Sequence, residues 1–165
     1  MDPLRGELVT LVPVTTDHVL ELRRIGETAA VAERWGEFGP GWPFDDPDVT
    51  CYSVLVDGAV RGFVQYSEET DPEYRHAGID IFVDPEVHGR GVGRDTVRTL
   101  ARHLVDDRGH HRLVIDPAAD NAAAIRCYEA VGFRRVGVMR NYERDRDGTG
   151  WHDGLLMDLL ADELR

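Results

Sequence analysis

One segment of the chain gathers residue types that handle an anion. Val83-Asp84-Pro85-Glu86-Val87-His88-Gly89-Arg90-Gly91-Val92-Gly93-Arg94 follows an apolar run and opens an amphipathic one. Glycines let a backbone approach a ligand closely, and a helix N-terminus offers free N–H groups to negative charge. Arg90 and Arg94 add planar, permanently charged forks suited to phosphate. The spacing G-x-G-x-G differs from the dinucleotide fingerprint G-x-G-x-x-G, and no Lys-Ser/Thr pair follows to make a P-loop. The pattern alone fits both a phosphate cradle and a strand-to-helix turn that uses glycine for geometry. A second signal lies just upstream in Gly78-Ile79-Asp80-Ile81-Phe82-Val83. In a strand Ile79, Ile81 and Val83 share one face, with Asp80 and Phe82 on the other. A carboxylate in so apolar a strand needs a partner. An incoming ammonium would provide one and could then lose its proton to the acid, whereas an arginine such as Arg75 would make the pair purely structural.

About one helix later comes Asp116-Pro117-Ala118-Ala119-Asp120-Asn121-Ala122-Ala123-Ala124-Ile125-Arg126-Cys127-Tyr128-Glu129-Ala130-Val131-Gly132-Phe133. With the glycine turn, this segment resembles the GCN5-related N-acetyltransferase (GNAT) superfamily. His88-Gly89-Arg90-Gly91-Val92-Gly93 is similar to its R/Q-x-x-G-x-G/A pyrophosphate loop, with His88 departing where the family prefers Arg or Gln. The resemblance covers Cys51 to Leu160 well and the first 50 residues loosely. It implies acetyl-CoA as cofactor. Backbone N–H groups of Gly91, Gly93 and their neighbours His88, Gly89 and Val92 would hold the pyrophosphate, helped by Arg90 and Arg94. The strand Ile81-Phe82-Val83 would pair with the pantetheine arm, Asn121 would hydrogen-bond it, and Ala124 would flank it. Tyr128 would protonate the leaving thiolate; a thiol pKa of about 8.5 makes that help modest.

Within the superfamily the strongest resemblance is to the aminoglycoside 6′-N-acetyltransferases, carried by Ala77-Gly78-Ile79-Asp80 and the Asp116-to-Glu129 run, with weaker support from Arg34-Trp35-Gly36. It implies that Asp80 and Asp116 face the amines of the acceptor and that Asp80 is the catalytic base. The Gly/Pro-rich stretch Gly36 to Pro47 reads as a long loop. Trp35 beside it and Trp42 within it would stack on sugar rings, while Glu37, Asp45 and Asp46 would pair with ammonium groups. Gln65 and Tyr66 on the strand neighbouring Asp80, and Asp153 near the C-terminus, complete the expected acceptor residues. Two other acceptor readings stand beside this one: a GNAT enzyme for a protein N-terminus, polyamine or siderophore precursor, and a non-catalytic acyl-CoA-binding module. Cys127 neighbours Tyr128 on a helix and so points about 100° away from it, which favours direct attack over a covalent acyl-enzyme.

The elements that must position these residues follow from periodicity. Glu7–Pro13 reads as a first strand, a helix capped at Thr15 to Asp17 runs to about Ile25, and Thr28–Trp35 forms another helix. Cys51–Val56 and Val60–Tyr66 are strands joined by the tight-turn signal Asp57-Gly58. Ala77–Val83 is a strand, Gly91–Val105 a helix, Arg112–Ile115 a strand and Asn121–Val131 a helix. Phe133–Met139 and Leu155–Leu160 are closing strands, separated by a polar stretch from Asn141 to Gly150. The expected architecture is α/β, a mixed GNAT-type fold with a mostly antiparallel central sheet of six to seven strands and about four helices. The expectation is one domain over residues 1–165.

Composition narrows the partners. Nineteen basic residues, all arginine, against 31 acidic ones give a net charge of −12. That balance argues against nucleic acid and against an anionic membrane surface, and it suits a small cationic amine. No apolar run approaches the roughly 20 residues of a membrane span. The Met1-Asp2-Pro3-Leu4-Arg5 start shows no secretory signal, and two cysteines are too few for a disulfide framework, so a cytoplasmic location is expected. The histidines lack metal-ligand spacing, so no metal site is expected; a monomer or a homodimer are both open.

Overall fold

The computed structural model describes residues 1–165. Four helices, α1 (Val19–Gly26), α2 (Ala29–Trp35), α3 (Val92–Asp106) and α4 (Ala122–Val131), flank one sheet of eight strands. The strands are β1 (Leu4–Arg5), β2 (Thr10–Pro13), β3 (Val49–Val56), β4 (Ala59–Glu69), β5 (His76–Val83), β6 (Arg112–Ile115), β7 (Arg134–Arg144) and β8 (Trp151–Leu160). Their spatial order is β1-β2-β3-β4-β5-β6-β8-β7, antiparallel except between β5 and β6.

The sheet is wider than the six to seven strands expected, and the first strand is shorter. Glu7, Leu8 and Val9 do not join the sheet; their N–H groups donate to the buried Asp95 carboxylate on α3 at 3.2, 2.7 and 3.0 Å. A carboxylate taken out of water needs such donors, and here a helix side chain competes with strand pairing for them. The stretch from Asn141 to Gly150, expected as a polar loop, is the tip of a hairpin. β7 runs on to Arg144 and β8 begins at Trp151, with Glu143 opposite His152 and Arg144 opposite Trp151. The Arg144 guanidinium lies 5.6 Å from the Trp151 ring. This strand end is exposed, so it lacks the apolar alternation that marks a strand.

Each face of the sheet is covered by its own apolar cluster. On one face α3 turns Val97, Leu100, Ala101 and Leu104 against Val54, Val64, Ile79 and Leu113. Their 3.6-residue spacing makes one buried stripe, in which each of the Val and Leu side chains contributes roughly 1.5–3 kcal/mol. On the other face Leu22, Ile25 and Val31 of α1 and α2 pack on Phe63 and Phe82.

One irregularity of the sheet positions the site. β5 pairs with β6 only at Ala77–Leu113 and Gly78–Val114, yet continues to Val83. The two strands part beyond Gly78 and leave a gap roofed by the start of α4. Just past the end of β5 the Asp84 N–H donates to the Arg61 carbonyl of β4 at 2.7 Å. By strand alternation the odd residues Ile79, Ile81 and Val83 then turn their N–H and C=O groups toward the gap. No helix in the structure is long and apolar enough to cross a membrane.

Candidate active site

Two cavities open from this gap and share a wall. The first, about 760 Å³, runs along Ile81, Phe82 and Val83 to His88, Gly89, Gly91, Val92, Gly93 and Arg94, and is closed by Asn121, Ala124, Cys127 and Tyr128. The second, about 500 Å³, is bounded by Asp80, Asp116, Glu143, Asp145 and Asp147, with Glu33, Asp120, Arg34, Arg146 and His152. Glu33, Arg34, Trp35, Ile81, Asn121 and Tyr128 line both.

The glycine turn is held from below. Asp84 is buried, accepts the Glu86 N–H at 3.0 Å, and takes Arg24 and Arg61 at 3.1 and 3.2 Å. Burial raises its pKa, but those hydrogen bonds and the two guanidinium groups outweigh burial and hold it below the usual carboxylate range. The turn then passes through Gly89 and Gly91, whose φ angles of +76° and +81° are left-handed and suit glycine. Gly91 is the N-cap of α3 and offers no side-chain oxygen. The first helical bond is Asp95 N–H to Gly91 C=O, so the N–H groups of Val92, Gly93 and Arg94 lack a partner within the helix. They open beside Arg94 into the first cavity. His88 has a local duty as well, its Nε2 lying 2.9 Å from the Val83 carbonyl. Arg90 is exposed and does not line either cavity.

Asn121 caps α4 by accepting the Ala124 N–H at 3.3 Å, which leaves its NH₂ group facing the joint of the cavities. Tyr128 lies seven residues further along α4, two helical turns away, and therefore on the same side. Its phenol is pushed well above the usual range, chiefly by burial and then by the neighbouring Cys127, Asp80 and Asp116. It keeps its proton across neutral pH. Cys127 is likewise raised by burial and stays a thiol.

Asp80 lies on the acid-lined side. Its pKa is raised, first by desolvation in the cleft and then by the carboxylates of Asp116 and Glu143; the Gln65 amide, donating to Asp80 Oδ2 at 3.3 Å, pulls the other way. Arg75 does not pair with it and bonds the Arg108 carbonyl instead. Asp116 accepts the Tyr142 hydroxyl at 2.8 Å, which together with burial drives that phenol up to about 12.

Several expected acceptor residues lie elsewhere. Tyr66 is only 5% exposed and faces α3, its ring 6.4 Å from His103. It pairs with Ile79 while its neighbour Gln65 pairs with Asp80, so the two residues point to opposite faces. Trp42 stacks on Phe38 at 4.0 Å and packs on Phe63 and Phe82, closing the smaller core. Glu37, Asp45 and Asp46 do not line the cleft. Asp46 and Asp45 instead lie near Cys51, whose thiol burial and these two acids push up to about 11. Asp153 accepts the Asn141 N–H at 2.8 Å and braces the hairpin. In their place the hairpin tip supplies Glu143, Asp145 and Asp147, and helix α2 and the loop before α4 supply Glu33 and Asp120. The acidic run Glu143-Arg144-Asp145-Arg146-Asp147 is the sequence signal that could have found the hairpin acids.

Residues 17–133 match the model of the "Acetyltransferase (GNAT) family". Aminoglycoside N(6′)-acetyltransferase type 1 of Klebsiella pneumoniae is 35% identical over 103 residues, 55% of this chain and 50% of that protein. The ribosomal protein bS18-alanine N-acetyltransferase of Escherichia coli K12 is 39% identical over 84 residues, 49% of this chain and 53% of that protein. The chain thus spans about half the length of the curated relatives it matches. Among solved structures, AAC(6′)-Ib in complex with paromomycin and acetyl-CoA superposes with a TM-score of 0.77 at 26% identity, covering 95% of this chain and 96% of that one.

Proposed function

Because the chain belongs to the acetyltransferase (GNAT) family, we propose that it is an acetyl-CoA-dependent N-acetyltransferase whose acceptor is a small polycationic amine, best matched by the 6′-amine of an aminoglycoside. The observation that carries this reading is the junction of two chemically different cavities at Tyr128 and Asn121, one lined mainly by apolar residues and backbone with arginines, the other rich in carboxylates.

The first cavity fits the family's cofactor. Three unpartnered N–H groups beside Arg94 suit a pyrophosphate. The unpaired edge of β5 suits an amide-bearing arm, and the Asn121 NH₂ can meet it. Acetyl-CoA supplies the acetyl thioester when bound. This chain's residues do the rest. Asp80 and Asp116 bind and orient the ammonium to be acetylated, and the raised pKa of Asp80 makes it a stronger base for the proton that the nitrogen must shed. Tyr128 holds a proton at its Oη between the two cavities, where a departing thiolate needs one. Glu143, Asp145 and Asp147 bind further ammonium groups of the same acceptor. One catalytic domain over residues 1–165 and a reducing, cytoplasmic setting for the two free cysteines complete the reading.

The test is thiol release from acetyl-CoA across aminoglycosides with and without a 6′-amine, spermidine, and peptides beginning with alanine. Turnover that requires the 6′-amine is expected. Turnover with alanine peptides alone would move the acceptor to the class of the ribosomal-protein relative, and turnover with spermidine alone to the polyamines.

A further inference from the structure

The acid-lined cavity carries its own cations, and they span its mouth. Arg146, at the tip of the β7–β8 hairpin, pairs with Glu143 and donates to the Arg34 carbonyl of α2 at 2.8 Å. Its guanidinium lies against the start of the next loop, where a side chain on Gly36 would come within 3.0 Å of it. The Arg34 side chain pairs in turn with Asp120 before α4 at 2.8 Å. Two arginines thus link three elements far apart in sequence, across the cavity that the proposed acceptor would enter. Asp80 and Asp116 have no such counter-ion: Asp80 takes the Gln65 amide and Asp116 the Tyr142 hydroxyl. Among these carboxylates Asp80 and Asp116 form an inner pair without an arginine partner, while Glu143 and Asp120 toward the outside each already hold one.

We infer that Arg146 is a displaceable internal cation: it fills an ammonium subsite at Glu143 and ties the hairpin to α2 until a polycationic acceptor takes its place. This inference rests on the acceptor reading above. An exposed ion pair is weak, worth about 0–1 kcal/mol, so an ammonium of comparable charge can exchange for it at little cost. The exchange frees the guanidinium from Glu143 and loosens the link to α2, so the acceptor's second cation opens the cleft for it. A single-amine acceptor engages only the inner pair and leaves Arg146 where it is. Arg146 therefore sets the preference for acceptor charge, while the chemistry stays with Asp80.

The test compares Arg146→Ala with wild type on two acceptors: a tetra-amino aminoglycoside such as kanamycin and the single-amine sugar 6-amino-6-deoxyglucose. For Arg146→Ala the KM of the aminoglycoside should fall about three- to five-fold, the worth of one exposed ion pair, with the single-amine KM unchanged. Arg146→Lys, which keeps the cation, should stay near wild type. Glu143→Gln should raise the aminoglycoside KM and remove the benefit of Arg146→Ala. An equal change for both acceptors, or a higher KM in Arg146→Ala, would overturn the inference and leave Arg146 as a brace of the hairpin. Calorimetric binding of kanamycin to both proteins decides the matter even where no amine is acetylated. Silence across all acceptors defeats the acceptor reading, and unchanged binding in Arg146→Ala defeats the displaceable cation.

Discussion

The two cavities that meet at Tyr128 are built in opposite ways. The larger one presents backbone: the open edge of β5, the free amides that begin α3, and a turn whose left-handed glycines keep side chains out. The smaller one presents side chains, about half of them charged and most of those carboxylates, drawn from α2, β5, the ends of β6 and β7, and the hairpin tip. A backbone surface recognises a part that many substrates share, because it cannot be altered one residue at a time. A wall of side chains on a projecting hairpin can be rewritten without touching the fold. On the proposed reading the first cavity takes the donor and the second the acceptor, and changes in one should leave the other nearly intact.

The largest effect expected from that separation is at Asp80. Asp80→Asn should lower turnover by about 10²-fold or more while acetyl-CoA affinity stays unchanged. The acid limb of kcat/KM in wild type should lie above the ordinary carboxylate range, because desolvation and the carboxylates of Asp116 and Glu143 raise Asp80. The same shift fixes a stability effect. A carboxyl whose folded pKa exceeds its unfolded one favours the fold below the unfolded pKa and loses that benefit as pH rises through the folded value. Ionised Asp80 is therefore slightly unfavourable at neutral pH, an effect that solvent at its exposed side chain screens, and Asp80→Asn should melt marginally higher than wild type at pH 7 but not near pH 4.

Gly91→Ala should act on the other half. Its φ of +81° is a conformation that costs an L-residue about 1–2 kcal/mol. The variant should raise the acetyl-CoA KM by roughly ten-fold and lower the melting temperature, with the acceptor KM unmoved. Tyr128→Phe removes a proton donor from the wall that both halves share. It should lower kcat by about ten-fold, since a thiolate leaves with modest help, and should alter neither KM by more than a small factor. The smallest effect is at Gln65, whose amide pulls the Asp80 pKa down. Gln65→Leu should move the acid limb of kcat/KM to higher pH with little loss at its plateau, measured as a full pH profile.

The same division explains what was legible in the sequence. The donor half is made of contiguous segments, so Gly89, Gly91 and Gly93, Asn121 and Tyr128 are legible through the resemblance of two short motifs to the family, and they come together on one cavity. Asp80 was legible as the odd carboxylate in an apolar strand. The acceptor half is assembled from segments far apart in the chain, where spacing within one segment says little. Tyr66 was grouped with Gln65 although adjacent strand residues face opposite ways. Trp42, expected to stack on sugar rings, packs with Phe38 over Phe63 and Phe82 because both faces of a sheet must be covered. The hairpin acids were passed over because an exposed strand end shows no alternation.

The most direct measurement is a crystal structure of the protein with coenzyme A and a tetra-amino aminoglycoside bound together. The pyrophosphate should lie on the amides of Val92 to Arg94, the pantetheine arm along the free edge of β5, and the 6′-nitrogen about 3 Å from the Asp80 carboxylate. Further ammonium groups should meet Glu143 and Asp145. A 6′-nitrogen far from Asp80, or an aminoglycoside outside the acid-lined cavity, would contradict the proposed acceptor site.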